Sequence, residues 1–171
     1  MSDIDSSILD EFVLESKSLI SDCMSILEDC EGDFTQVQRL REYGNKVDRV
    51  MGAARSLAMM AGPNHALHLI GDYSAVCKAV GYQASQIVDN EQFYDICVAL
   101  LLDATEGLQE MVSNITQSSD DLKRKIPPAF LDRLQWVSGK FSAEVQKSVS
   151  SRPSEKLAQD EIDALMKKLG L

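Results

Sequence analysis

Two histidines, His65 and His68, and four cysteines, Cys23, Cys30, Cys77 and Cys97, are the side chains in this chain with the widest chemistry. No two thiols form a C-x-x-C pair, and two histidines add little to them, so no zinc site is expected. Cys23 and Cys30 lie seven apart, on one face of a helix, and read as small core filler. His68 and Asp72 are four apart, a helical spacing that brings imidazole to carboxylate and tunes ring basicity. A solvated or half-buried histidine is the plainer alternative there, and plainer still for His65, beside a helix start. Serines, histidines and acids are too dispersed for a hydrolytic triad. No glycine-rich phosphate loop is present.

These residues sit on elements whose apolar side chains recur at helical spacing, with no strand-like alternation. A first helix spans about Ser6 to Cys30, striped by Ile8, Phe12, Leu19, Cys23, Ile26 and Cys30, with Ser16 as its polar gap. Gly32 is suited to its cap. A second helix runs from near Thr35 to about Ala61, where Gly62-Pro63 stops it. Asn64 can cap a third, striped by Leu67, Ile70, Tyr73, Cys77 and Val80. A fourth covers about Glu91 to Thr116, followed by a polar turn at Gln117 to Asp121. A fifth follows Pro127-Pro128 and carries Phe130, Leu134, Val137, Phe141 and Val145 on one face. Trp136 lies off that stripe and reads as packing at the bundle edge. The predicted fold is all-α: an antiparallel four-helix bundle over residues 1–147 that includes the fifth helix as an addition. A serine-rich linker over 148–156 and an amphipathic segment over 157–171 follow it.

Length and charge bound what such a chain does. Its 171 residues allow one domain with a short appendage. With 27 acidic against 17 basic residues the formal net charge is -10, which argues against nucleic acid and against electrostatic binding to an anionic membrane. The first residues lack a basic stretch followed by an apolar run, so a secretory signal is not expected. The cysteine usage fits a reduced, cytoplasmic protein.

On a wheel of the second helix, Val47, Val50, Ala54, Ala58 and Ala61 gather on one side. Asn45, Asp48, Gly52, Arg55, Ser56 and Met59 gather on the other. Gly52 is therefore central to the solvent face, although glycine in a helix costs about 1 kcal/mol relative to alanine. It marks either tolerated drift or a place where a partner comes close to the backbone. Met59 on the same face is either adaptable partner surface or packing under a neighbouring loop.

The long acidic first helix, followed by Arg55, Ser56, Ala58, Met59 and Gly62, resembles a histidine phosphotransfer (HPt) domain, especially that of chemotaxis kinases. The resemblance covers roughly residues 6–147. It puts Arg55 at the family's lysine and Gly62 at its closing glycine. The phospho-accepting histidine then falls on Gly52, so the implied scaffold docks response regulators but cannot relay phosphate by that route.

The C-terminal segment carries Ile162, Leu165, Met166 and Leu169 at i, i+3, i+4 and i+7. Asp160, Glu161 and Asp163 come early in it, and Lys167 and Lys168 late, in the order that suits a helix dipole. Pattern alone leaves two dispositions open: a helix-in-groove ligand for a partner, or a helix folded back on its own bundle. The run Gln159-Asp160-Glu161-Ile162-Asp163-Ala164-Leu165 resembles the CheY-binding peptide of the flagellar switch protein FliM. The Leu169-Gly170-Leu171 ending resembles the tail of the chemotaxis phosphatase CheZ, although Lys167 and Lys168 depart from it. The resemblance implies a phosphorylated CheY-like regulator as partner, bound by Asp160, Glu161, Ile162, Asp163, Leu165, Met166 and Leu169, with Gly52, Arg55 and Met59 as a second contact. It also implies Mg²⁺ on the partner and no cofactor in this protein.

Phosphatases of CheY-type regulators orient water with an amide side chain, as the glutamine of a GTPase does. The Asp-x-x-x-Gln spacing of CheZ is absent. Glu42-x-x-Asn45 resembles the Glu-x-x-Asn motif of the CheC and CheX phosphatases, and Asn45 shares a helical face with Gly52. Asn45 and Glu42 are therefore the candidate catalytic pair, against chance occurrence in an acidic helix. Glu110-x-x-x-Asn114, Gln36 and Gln38 are further amide candidates. The expected function is regulator capture with promoted dephosphorylation, as in chemotaxis and flagellar motility; the alternatives are a regulator-binding adaptor without chemistry and a structural module whose tail packs in cis.

Overall fold

The computed structural model describes residues 4–147 and 162–169, the side chains of 142–147 excepted. Six α-helices follow in order: α1 (Ser6–Cys30), α2 (Arg39–Ala58), α3 (Ala66–Ala84), α4 (Glu91–Ser113), α5 (Ser119–Arg124) and α6 (Pro128–Lys147). A 3₁₀ turn, Phe34–Gln36, precedes α2, and a short helix covers residues 162–168. Among the described residues there is no strand, only one bridge between His65 and Ser118. The all-α expectation holds.

The bundle is a ring in which α1 packs on α2, α2 on α3, α3 on α4 and α4 back on α1. Cross-helix pairs show the antiparallel sense. Asn45, Asp48 and Arg55 of α2 meet Tyr82, Lys78 and Asp72 of α3. Arg39, Lys46 and Arg49 meet Asp29, Asp22 and Glu15 of α1. The ion pairs among these are exposed or partly exposed and each contributes about 1 kcal/mol or less, but together they flank α2 on both sides. Stability comes from the apolar interior, where Val47, Val50 and Ala54 of the predicted stripe are fully buried. Tyr43, also buried, crosses the ring to Thr105 with a 2.9 Å hydroxyl contact. The Thr105 hydroxyl in turn donates to the Leu101 carbonyl. Outside the ring, α5 packs on α3 and α6 on α4. Trp136 stands at that edge, 49% exposed, edge-on to Phe93 and under the Lys140 ammonium.

Several boundaries differ from expectation for local reasons. Gly32 does adopt the left-handed conformation (φ 71°) just past α1. The second helix starts at Arg39 because Asp33 first caps a 3₁₀ turn through the Thr35 amide. It ends at Ala58, and 3₁₀-type bonds tighten the next residues (Met60 N–H to Leu57 O, Ala61 N–H to Ala58 O). His65, not Asn64, caps α3: its Nδ1 accepts from the Leu67 amide. Asn64 instead serves α5, its carbonyl taking the Ser119 amide and its side chain the Asp120 amide. α5 begins inside the predicted polar turn and runs past it to Arg124, capped by Ser118 on the Asp121 amide. Asn114 closes α4 three residues early. Ile8, placed on the α1 stripe, is exposed, whereas the polar gap Ser16 is buried.

The C-terminal helix lies against the bundle. Its stripe is buried, with exposures of 0% for Ile162, 4% for Leu165, 9% for Met166 and 3% for Leu169, and it joins the common core. Burying four such side chains gains roughly 1.5–3 kcal/mol each. Ordering the eight described residues costs roughly 1–2 kcal/mol apiece. The two totals are of the same size, so this docking is marginal. Linker residues 148–156, and Asp160 and Glu161 of the predicted peptide, lie outside the described residues.

Candidate functional site

Between the two rows of ion pairs the second half of α2 exposes Gly52, Ala53 and Ser56, with Met59 just past the helix end. A Cβ built on Gly52 meets nothing within 4 Å, so the backbone there is open to an approaching surface. Met59 is 88% exposed and stands clear of any loop. Arg55 leans across to α3: its Cγ covers Gly71 and its guanidinium lies 3.8 Å from Asp72. The phospho-accepting position of the HPt resemblance thus lies on a shallow, small-residue surface with one cation and one thioether beside it.

Asn45 is exposed on the same face, seven residues before Gly52, or about 10 Å along the helix axis. Its Oδ1 accepts a hydrogen bond from the Tyr82 hydroxyl. Its amide N–H groups are what it can offer to a water or a phosphoryl oxygen. Glu42 lies 3.6 Å from Arg39 Nε. Glu42 and Asn45 therefore share a face, each with one partner. Asn114 is committed elsewhere, because its Nδ2 donates to the Glu110 carbonyl as part of the α4 cap. Gln36 lies in the 3₁₀ turn, where its carbonyl accepts from the Cys30 thiol, and Gln38 precedes α2.

The histidines take structural parts. His68 does not pair with Asp72; its Nε2 contacts the Gly62 carbonyl at 3.2 Å, while Asp72 faces Arg55 and Lys168. Burial, aided by neighbouring His68, holds the His65 imidazole below its ordinary pKa, which suits a ring nitrogen that must accept the Leu67 amide. The four cysteines are free and buried. Burial pushes the thiols of Cys23, Cys77 and Cys97 up to about 12, the opposite of what a nucleophile needs.

Of the tail residues expected to bind a partner, Asp163 is exposed, while Ile162, Leu165, Met166 and Leu169 face the bundle. Leu169 lines one small apolar cavity together with Val76, Cys77, Leu100, Ala104 and Leu134. A cavity of about 330 Å³ at the junction of α3, α4, α5 and α6 has no counterpart in the sequence pattern. Tyr73 and Phe130 stack at 6.0 Å and line both that cavity and the Leu169 seat. Its rim holds the Arg133–Asp103 ion pair, Glu106 and Glu110. Only the fold brings those four helices together, so no local spacing announces it. Comparison with known proteins finds no matching family model, no matching curated protein and no matching solved structure.

Proposed function

We propose that this protein captures a phosphorylated CheY-type response regulator with its C-terminal helix and promotes dephosphorylation on the exposed face of α2. The observation that carries the reading is the sequence from Gln159 to Leu171, whose acidic start and apolar stripe at helical spacing resemble regulator-binding peptides. The peptide raises the local concentration of the regulator at the bundle. Gly52, Arg55 and Met59 then offer a surface on which the regulator's active site settles. Asn45 orients the attacking water through its amide and Glu42 contacts the regulator; the Mg²⁺ of the reaction belongs to the regulator.

One observation favours a second reading, a pseudo-HPt adaptor that binds without chemistry. The Asn45 carbonyl is already held by Tyr82, which limits how the amide can turn. Decay of the phosphorylated regulator separates the two. Acceleration by the wild-type chain that is lost in Asn45→Ala, with binding retained, supports catalysis. Binding without acceleration leaves the adaptor.

A further inference from the structure

The four side chains on the apolar face of the C-terminal helix cannot fill two grooves at once. In this structure Ile162, Leu165, Met166 and Leu169 are all buried against the bundle, and what the helix shows outward is Asp163, Ala164, Lys167 and Lys168. Two polar contacts clasp its end. Lys123 of α5 donates from Nζ to the Lys168 carbonyl at 3.1 Å, and Lys168 Nζ lies 3.8 Å from Asp72 of α3. Earlier in the helix, the Ser138 hydroxyl of α6 lies 3.4 Å from the Asp163 carboxylate.

We infer that the protein gates itself: the bundle groove and the phosphorylated regulator compete for the same helix face, and only the undocked fraction captures regulator. This rests on the regulator-binding reading for the identity of the competitor. The groove supplies the cis side of the competition through residues such as Val76, Cys77 and Leu134, which line the same small cavity as the buried Leu169. Fourteen residues, 148–161, join the two sides in the sequence, so groove and helix belong to one chain and the cis competition does not depend on protein concentration. Apparent affinity for the regulator is then the intrinsic affinity of the helix reduced by the open fraction. The marginal docking suits this arrangement, because a helix bound too well would never be released.

The test weakens the groove and leaves the helix untouched. Full-length chains carrying Val76→Ala or Lys123→Ala are titrated against a CheY-type receiver domain activated with beryllofluoride, beside wild type and a synthetic peptide of residues 155–171. Val76→Ala removes two methyl groups from the cavity that Leu169 also lines and is expected to tighten binding about twofold, the ceiling set by an open fraction near one half. Lys123→Ala removes an exposed clasp, spares the core and is expected to tighten it by a smaller factor. Unchanged or weaker binding by both variants, with the peptide still binding, overturns the gating and leaves the regulator reading standing. A peptide that does not bind the activated domain removes the reading, and the gating with it.

Discussion

Gly52→Ala tests the claim that the centre of the α2 face is open. Glycine inside a helix is disfavoured by about 1 kcal/mol relative to alanine, chiefly through backbone entropy. At Gly52 nothing opposes that gain, since a Cβ there has no neighbour within 4 Å. The variant should therefore be about 1 kcal/mol more stable, which for a chain of this length raises Tm by roughly 2–4 °C. Gly81→Ala is the matched control. The same Cβ there would lie 2.8 Å from Cδ1 of the fully buried Tyr43 ring and 3.4 Å from the Leu40 carbonyl. Overpacking of this kind costs about 1–3 kcal/mol, which meets or exceeds the propensity gain. Thermal unfolding followed by circular dichroism measures both variants. A Gly52→Ala chain that melts below wild type would refute the open α2 face and remove the surface on which docking is proposed. An added Gly52→Trp variant carries the point to function: it should keep the fold and lose regulator-dependent activity.

Three further outcomes follow from the same structure. Because the folded His65 has its pKa lowered, the unfolded chain binds more protons as pH falls below 6.5. Its contribution to stability is present above pH 6.5 and is lost on acidification, and urea melts at several pH values should show that loss flattened in His65→Asn. The raised thiols of Cys23, Cys77 and Cys97 work in the other direction: their contribution is full below pH 9.0 and is lost as pH rises towards about 12. All four buried thiols should resist Ellman's reagent at pH 8 in the folded chain and react together on unfolding; prompt reaction of any one would show its burial to be wrong. Tyr43→Phe removes the hydroxyl that meets Thr105 across the ring and should cost roughly 1 kcal/mol in urea melts. No change there would mean that the contact contributes nothing.

The helices were legible because burial follows the helical period: Val47, Val50 and Ala54 recur every three to four residues and all three point inward. Features set by partners distant in sequence were not. Asn64 has the chemistry of a cap, but α5, more than fifty residues away, claims it, and His65 takes the role. Spacing alone joined His68 to Asp72, yet Asp72 faces a cation from α2 and another from the C-terminal helix. The same holds for Asn45, whose type and face were readable but whose tie to Tyr82 was not. With only six residues, α5 is too short to show periodicity. The C-terminal stripe was visible in full, but a stripe states that something covers it and leaves open what does. In the structure its own bundle does.

The proposed recognition of the regulator rests on the C-terminal helix. The deciding experiment titrates a phosphorylated CheY-type receiver domain with the full chain and with a chain lacking residues 155–171. The full chain should bind and the truncated chain should not; equal binding by both would show that the C-terminal helix does not recognise the regulator.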